Sequence, residues 1–127
     1  MFTVRVAIDE ISAAHALPGY PGDCARRHGH NWSFAAVITA SELHQDMVVD
    51  FRIVKDVFRA LDHTDLNDIP ALNGPNCRPT AERLAQYLAQ RLEGVLAPLP
   101  NHPTLLALTV RETSRNEVTY QPDGARG

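Results

Sequence analysis

The chain has 127 residues, 44% of them hydrophobic and 21% charged, with a formal net charge of -3 and a pI near 6.0. This length holds one hydrophobic core, so a single domain over residues 1–127 is expected, and the composition excludes a disordered chain. Arg26–Arg27 is the only adjacent pair of basic residues and no apolar run is long enough for a membrane span, so neither nucleic-acid nor membrane binding is expected.

The first segment, Phe2 to Ile11, alternates Val4, Val6 and Ile8 with Thr3, Arg5 and Ala7. A period of two predicts a half-buried strand, continuing toward His15. Asp9 and Glu10 stand where a signal peptide would be apolar, so a cytoplasmic location is expected. Pro18-Gly-Tyr-Pro-Gly22 is a connecting loop. A second strand is predicted from His30 to Ala40, with Trp32, Phe34, Ala36 and Ile38 on one face, followed by a polar turn at Ser41–Asp46.

Asp50 is placed to cap a helix over 51–61, where Phe51, Val54, Val57, Phe58 and Leu61 recur at helical spacing. Residues 62–79 are rich in Asp, Asn, Pro and Gly, a long loop of the kind that carries function. A second helix is predicted over Glu82–Leu96, ended by Pro98 and Pro100. Thr104–Glu112 and Glu117–Tyr120 are two closing strands around a turn at Ser114–Asn116, and residues 122–127 are expected to be loose. The order ββααββ predicts an α+β fold with an antiparallel sheet.

Several residues could carry chemistry. In a strand, His28 and His30 point to the same face, and an antiparallel pairing across the Pro/Gly loop sets His15 beside them. Three imidazoles suit zinc and leave its fourth position for water or substrate. Hydrogen bonding near a turn would equally account for them. Cys24 shares its loop with Arg26 and Arg27, which favour a thiolate, although most free cysteines are small buried apolar residues. Cys77 lacks such company, and two cysteines are too few for a disulfide scaffold.

Asp62 and His63 could form an acid–base pair, or could merely close a helix. Glu112 ends an apolar strand, where an inward charge needs a partner such as a guanidine-like N–H edge, or Arg111 or Arg115 at the surface. His44 and His102 are read as solvated.

In series, Ala13-Ala14-His15, Cys24-Ala-Arg-Arg-His28-Gly-His30-Asn31, Val49-Asp50-Phe51, Asp62-His63-Thr-Asp-Leu66-Asn67, Pro79-Thr80-Ala81-Glu82 and Glu112-Thr113 form a pattern. It resembles the 6-pyruvoyl tetrahydropterin synthase family, with its bacterial 6-carboxytetrahydropterin synthase branch, over residues 2 to 120. The resemblance implies a tunnelling fold, a four-stranded antiparallel sheet with two helices on one face. It also implies homo-oligomers, often hexamers, with active sites between subunits.

The same resemblance implies one zinc ion per subunit on His15, His28 and His30, with no nicotinamide or flavin. It makes Cys24 the thiolate base, Asp62 and His63 the second proton-transfer unit, and Glu112 the pterin anchor. Thr80 and Glu82 would line the pterin pocket, and Arg26 or Arg27 could meet a triphosphate. The implied substrate is 7,8-dihydroneopterin triphosphate.

The pyruvoyl branch of the family eliminates triphosphate and stops there. The carboxy branch also releases acetaldehyde, yielding 6-carboxy-5,6,7,8-tetrahydropterin for the 7-deazaguanine (queuosine) pathway. Three residues between Cys24 and His28 match the carboxy branch. Arg78 before Pro79, and Arg83 after Glu82, depart from the residues common in relatives.

Overall fold

The computed structural model describes residues 1–122. Residues 123–127, within the segment expected to be loose, lie outside the described residues, and Pro122 is buried. The elements are β1 (Phe2–His15), β2 (His28–Ala40), α1 (Phe51–Arg59), β3 (Thr64–Asp65), α2 (Ala81–Leu96), β4 (Thr104–Thr113) and β5 (Asn116–Tyr120). The sheet order is β3-β1-β2-β4-β5, antiparallel throughout except that β3 runs parallel to β1.

The α+β expectation holds, but the four-stranded ββααββ scheme is corrected to five strands in the order ββαβαββ. The added strand is two residues long, too short for any alternation to show in a sequence. It forms because the chain leaving α1 folds back along the end of β1, pairing Ala13 with Thr64 and Ala14 with Asp65.

Helix α1 begins where Asp50 accepts the Arg52 N–H at 2.9 Å, and α2 where Thr80 accepts the Arg83 N–H at 3.2 Å. Helix α2 packs on β4 and β5 and α1 on β1, covering one sheet face. Trp32, Phe34, Ala36 and Ile38 of β2 face them, with Val54 and Phe58 of α1 and Leu84, Leu88 and Leu92 of α2. No helix among the described residues is long and apolar enough to cross a membrane.

One irregularity decides which face the site occupies. Between Ile8 and Ile11, β1 has an extra residue relative to β2: Ile8 pairs with Phe34 but Ile11 with Trp32. Glu10 takes the left-handed conformation, φ 61°. This bulge switches the phase of β1. Val6 faces the core before it, and Ile11, Ala13 and His15 face the core after it. Without the switch, His15 would point to the other face.

Candidate active site

Beyond the bulge, His15 of β1 stands directly opposite His28 of β2, with Ala13 opposite His30. All three imidazoles lie on the core face, in line with Trp32. Their ring centroids are 4.5 Å apart for His15 and His28, 5.2 Å for His15 and His30, and 4.9 Å for His28 and His30. Glu112, on the same face of β4, completes a group whose ligand atoms lie within 4.8 Å of one another. Such a group could hold a metal ion.

The backbone orients two of these rings. His15 Nδ1 donates to the Pro79 carbonyl at 2.8 Å and His28 Nδ1 to the Arg26 carbonyl at 2.7 Å. With the proton on Nδ1, each Nε2 carries a free lone pair, the arrangement that suits a ligand. His15 is 1% exposed, and its Nε2 is buried without a hydrogen-bond partner. Glu112 Oε1 lies 3.0 Å from His30 Nε2, yet outside hydrogen-bonding geometry, so that nitrogen is also unpartnered. Two buried imidazole nitrogens aimed at one point, beside a carboxylate, fit a cation. Burial pushes the His30 pKa below the ordinary imidazole value; Glu112 opposes this, and His15 and His28 reinforce it.

Trp32 supports the cluster from below. Its Nε1–H donates to the Ala13 carbonyl at 3.0 Å, and its ring packs edge-on to His15 and His30. Asn67 brackets the strand exit, accepting the Ala16 N–H at 2.7 Å and donating to the Ala16 carbonyl at 3.0 Å. Asn67, Pro79 and Arg26 stand in the motif series, but the contacts they make do not show there, because backbone groups or partners distant in sequence supply them.

The other expected site residues are more dispersed. Cys24 is exposed in the single turn Asp23–Ala25, and its sulfur is not in the metal-sized group. The base of its loop is closed by the Leu17 N–H donating to the Cys24 carbonyl at 2.8 Å. Arg27 is committed to Asp65 at 2.6 Å.

Asp62 accepts the Ser12 N–H at 2.9 Å, and the His63 N–H donates to the Ser12 carbonyl at 2.6 Å. The side chains of Asp62 and His63 are 3.6 Å apart, an ion-pair contact too long for a hydrogen bond. His63 adopts φ 59° and is exposed, bordering a concavity with Ser12, Ala14, Gly29, His30 and Asn31. Its ring is not among the groups of the metal-sized cluster.

Thr80 caps α2, and Glu82 is exposed in its first turn. Glu112 pairs with neither Arg111 nor Arg115; Arg111 instead meets Glu117 across β4 and β5 at 3.3 Å. Cys77 is half-buried, and His44 and His102 are exposed, as read from the sequence. A larger concavity of about 760 Å³ lies between α1 and α2, lined by Ile53, Val57, Tyr87, Val95 and also His63, and not by His15, His28 or His30.

The profile of the 6-pyruvoyl tetrahydropterin synthase family matches residues 4–123. The chain belongs to this family. Relatives in the 6-pyruvoyl tetrahydropterin synthase family include a 6-carboxy-5,6,7,8-tetrahydropterin synthase of Bacillus subtilis, 32% identical over 117 residues, covering 88% of this chain and 80% of the relative. A Synechocystis protein of the same name is 32% identical over 120 residues, covering 85% and 84%. The solved structure of Caenorhabditis elegans 6-pyruvoyl tetrahydropterin synthase matches with a TM-score of 0.76 at 25% identity, covering 96% of each chain.

Proposed function

We propose that this chain is a zinc-dependent lyase that converts 7,8-dihydroneopterin triphosphate to 6-carboxy-5,6,7,8-tetrahydropterin, releasing acetaldehyde and triphosphate. The observation that carries the reading is the trio of imidazoles with two buried, unpartnered Nε2 atoms converging on one point. It occurs in a chain 32% identical to two 6-carboxy-5,6,7,8-tetrahydropterin synthases. His15, His28 and His30 would hold zinc. When bound, the ion would act as a Lewis acid toward the hydroxyls of the substrate side chain, acidifying the neighbouring C–H.

The chain's own residues supply the rest. Cys24, exposed in its loop, acts as the thiolate base. Glu112, half-buried beside His30, accepts two N–H groups from the amino-pyrimidine edge of the pterin, with Thr80 and Glu82 at the pocket margin.

His63 stands outside the metal-sized group of its own chain, so it serves the site of a neighbouring copy, with Asp62 beside it as the second member of the proton-transfer pair. The active unit is a homo-oligomer with no nicotinamide or flavin, each copy being one pterin-synthase-like domain acting in the cytoplasm.

Product analysis of the zinc-loaded protein tests this. Acetaldehyde with 6-carboxy-5,6,7,8-tetrahydropterin is expected. A pyruvoyl product without acetaldehyde would place it in the other branch, which the likeness to the Caenorhabditis elegans structure favours. Pterin binding without turnover would overturn the enzyme reading.

A further inference from the structure

The reading above leaves the phosphates of the substrate without a partner, and the loop between β3 and α2 contains a candidate. A cavity of about 530 Å³ is lined by Pro18, Gly74, Asn76, Cys77 and Arg78, among others, with Arg78 its one charged residue. Its wall is a closed turn: the Gly74 N–H donates to the Cys77 carbonyl at 3.0 Å and the Cys77 N–H to the Gly74 carbonyl at 3.3 Å. Asn73 braces it by donating to the Leu66 and Ile69 carbonyls at 3.0 and 2.8 Å.

Along the backbone, the Arg78 of this cavity is one residue from a group that orients the histidine cluster. The Thr80 N–H donates to the Arg78 carbonyl at 2.8 Å, a tight turn centred on Pro79, whose own carbonyl orients His15. Across the gap, the Arg78 guanidinium lies 5.8 Å from the ring centroid of Tyr20. Tyr20 belongs to the loop that carries Cys24. Arg78 thus spans the two loops that bear the metal-orienting carbonyl and the thiol.

Arg27 pairs with Asp65 and Arg111 with Glu117, and Arg83 bonds Gln86 at 2.9 Å. Arg26 has no carboxylate partner among the described residues, but it does not line this cavity. Arg78 has no carboxylate partner among the described residues, and an aromatic face holds a guanidinium without neutralising it. A preformed concavity with a single, uncompensated guanidinium selects a polyanion, and the planar fork matches phosphate oxygens.

The structure assigns Arg78 as the residue that grips the phosphate chain of the substrate, with Tyr20 holding the guanidinium ready. This rests on the proposed substrate, and the experiment separates the two claims. Zinc-loaded wild-type protein, Arg78→Gln and Arg78→Lys are compared, with bound zinc quantified throughout. The readouts are KM for 7,8-dihydroneopterin triphosphate, the Kd of inorganic tripolyphosphate by calorimetry, and inhibition by unphosphorylated 7,8-dihydroneopterin.

Arg78→Gln is expected to raise KM and the tripolyphosphate Kd by roughly 10- to 100-fold, with Arg78→Lys between. Inhibition by unphosphorylated pterin should be equal in all three. Unchanged tripolyphosphate affinity overturns the assignment, and so does an equal loss of affinity for the unphosphorylated pterin, which would make Arg78 a shaper of the loop. If wild type fails to turn over the triphosphate but binds tripolyphosphate through Arg78, the reaction falls and the phosphate site stands. Turnover with tripolyphosphate binding indifferent to Arg78 has the reverse meaning.

Discussion

Deleting Glu10 should separate the core from the metal face. Removing the extra residue forces β1 into one uninterrupted alternation against β2, so one half of the strand must turn over. If residues 11–15 keep their face, Val6, 3% exposed, turns outward along with the half-buried Val4 and Ile8. One full and two partial aliphatic burials lost amount to about 3–6 kcal/mol. At this chain length that lowers the thermal midpoint by roughly 10–20 °C.

If residues 2–8 keep their face instead, Ile11 and Ala13 are exposed and His15 leaves the cluster, so tight zinc binding is lost. Thermal denaturation with zinc quantification distinguishes the two routes. Glu10→Gly is the control: it keeps the bulge and relieves φ 61°, so its stability should be equal or slightly higher. A deletion variant with the wild-type midpoint and full zinc content would refute the phase-switch argument.

Other substitutions probe single contacts. His28→Ala should abolish stoichiometric zinc and remove the stabilisation that saturating zinc confers, about 2.7 kcal/mol at a hundredfold excess over Kd; full zinc retention would sink the ligand assignment. Cys24→Ala should lose turnover while keeping zinc, since the thiol lies outside the histidine group; a parallel fall in zinc would place it among the ligands. Asp62→Asn preserves an acceptor for the Ser12 N–H, so it should fold normally and lose activity. Asp62→Ala should in addition lose about 1–3 kcal/mol in chemical denaturation, and equal stability of the two variants would contradict this.

The Arg52 hydrogen bonds hold the Asp50 carboxyl below its ordinary value near 3.8. Its contribution to stability is therefore present above that value and disappears as pH falls through the lowered one. Acid unfolding of Asp50→Ala, which has no such contribution to lose, should show a weaker pH dependence in that window; identical profiles would count against the cap.

Much of this was legible in the amino-acid sequence. The two helices, the four longer strands and the inward set Trp32, Phe34, Ala36 and Ile38 follow from periodicity. The alternation of Val4, Val6 and Ile8, carried forward without interruption, sends His15 to the wrong face. Nothing in Asp9-Glu10 announces the bulge, because it is set by pairing with Trp32 and Phe34 of a distant strand rather than by local preference. The two-residue strand β3 was likewise beyond any period. Adjacency of Asp62 and His63 in sequence did not give their geometry: the side chains stand 3.6 Å apart, beyond a hydrogen bond, while Asp62 meets the Ser12 N–H.

The open edges of the sheet have a geometric consequence. Of its long strands, β1 and β5 are the outer two of four, and neighbouring strands run in opposite directions. An even count makes the first and last strands opposed. A copy rotated about an axis along the strands thus offers its β5 to β1 in antiparallel sense, with no change of ladder type at the seam. β3 blocks only the His15 end of β1, leaving Phe2–Ile11 open, more than enough for the five residues of β5. Parity rather than side-chain chemistry thus sets the direction of any edge-to-edge join between copies.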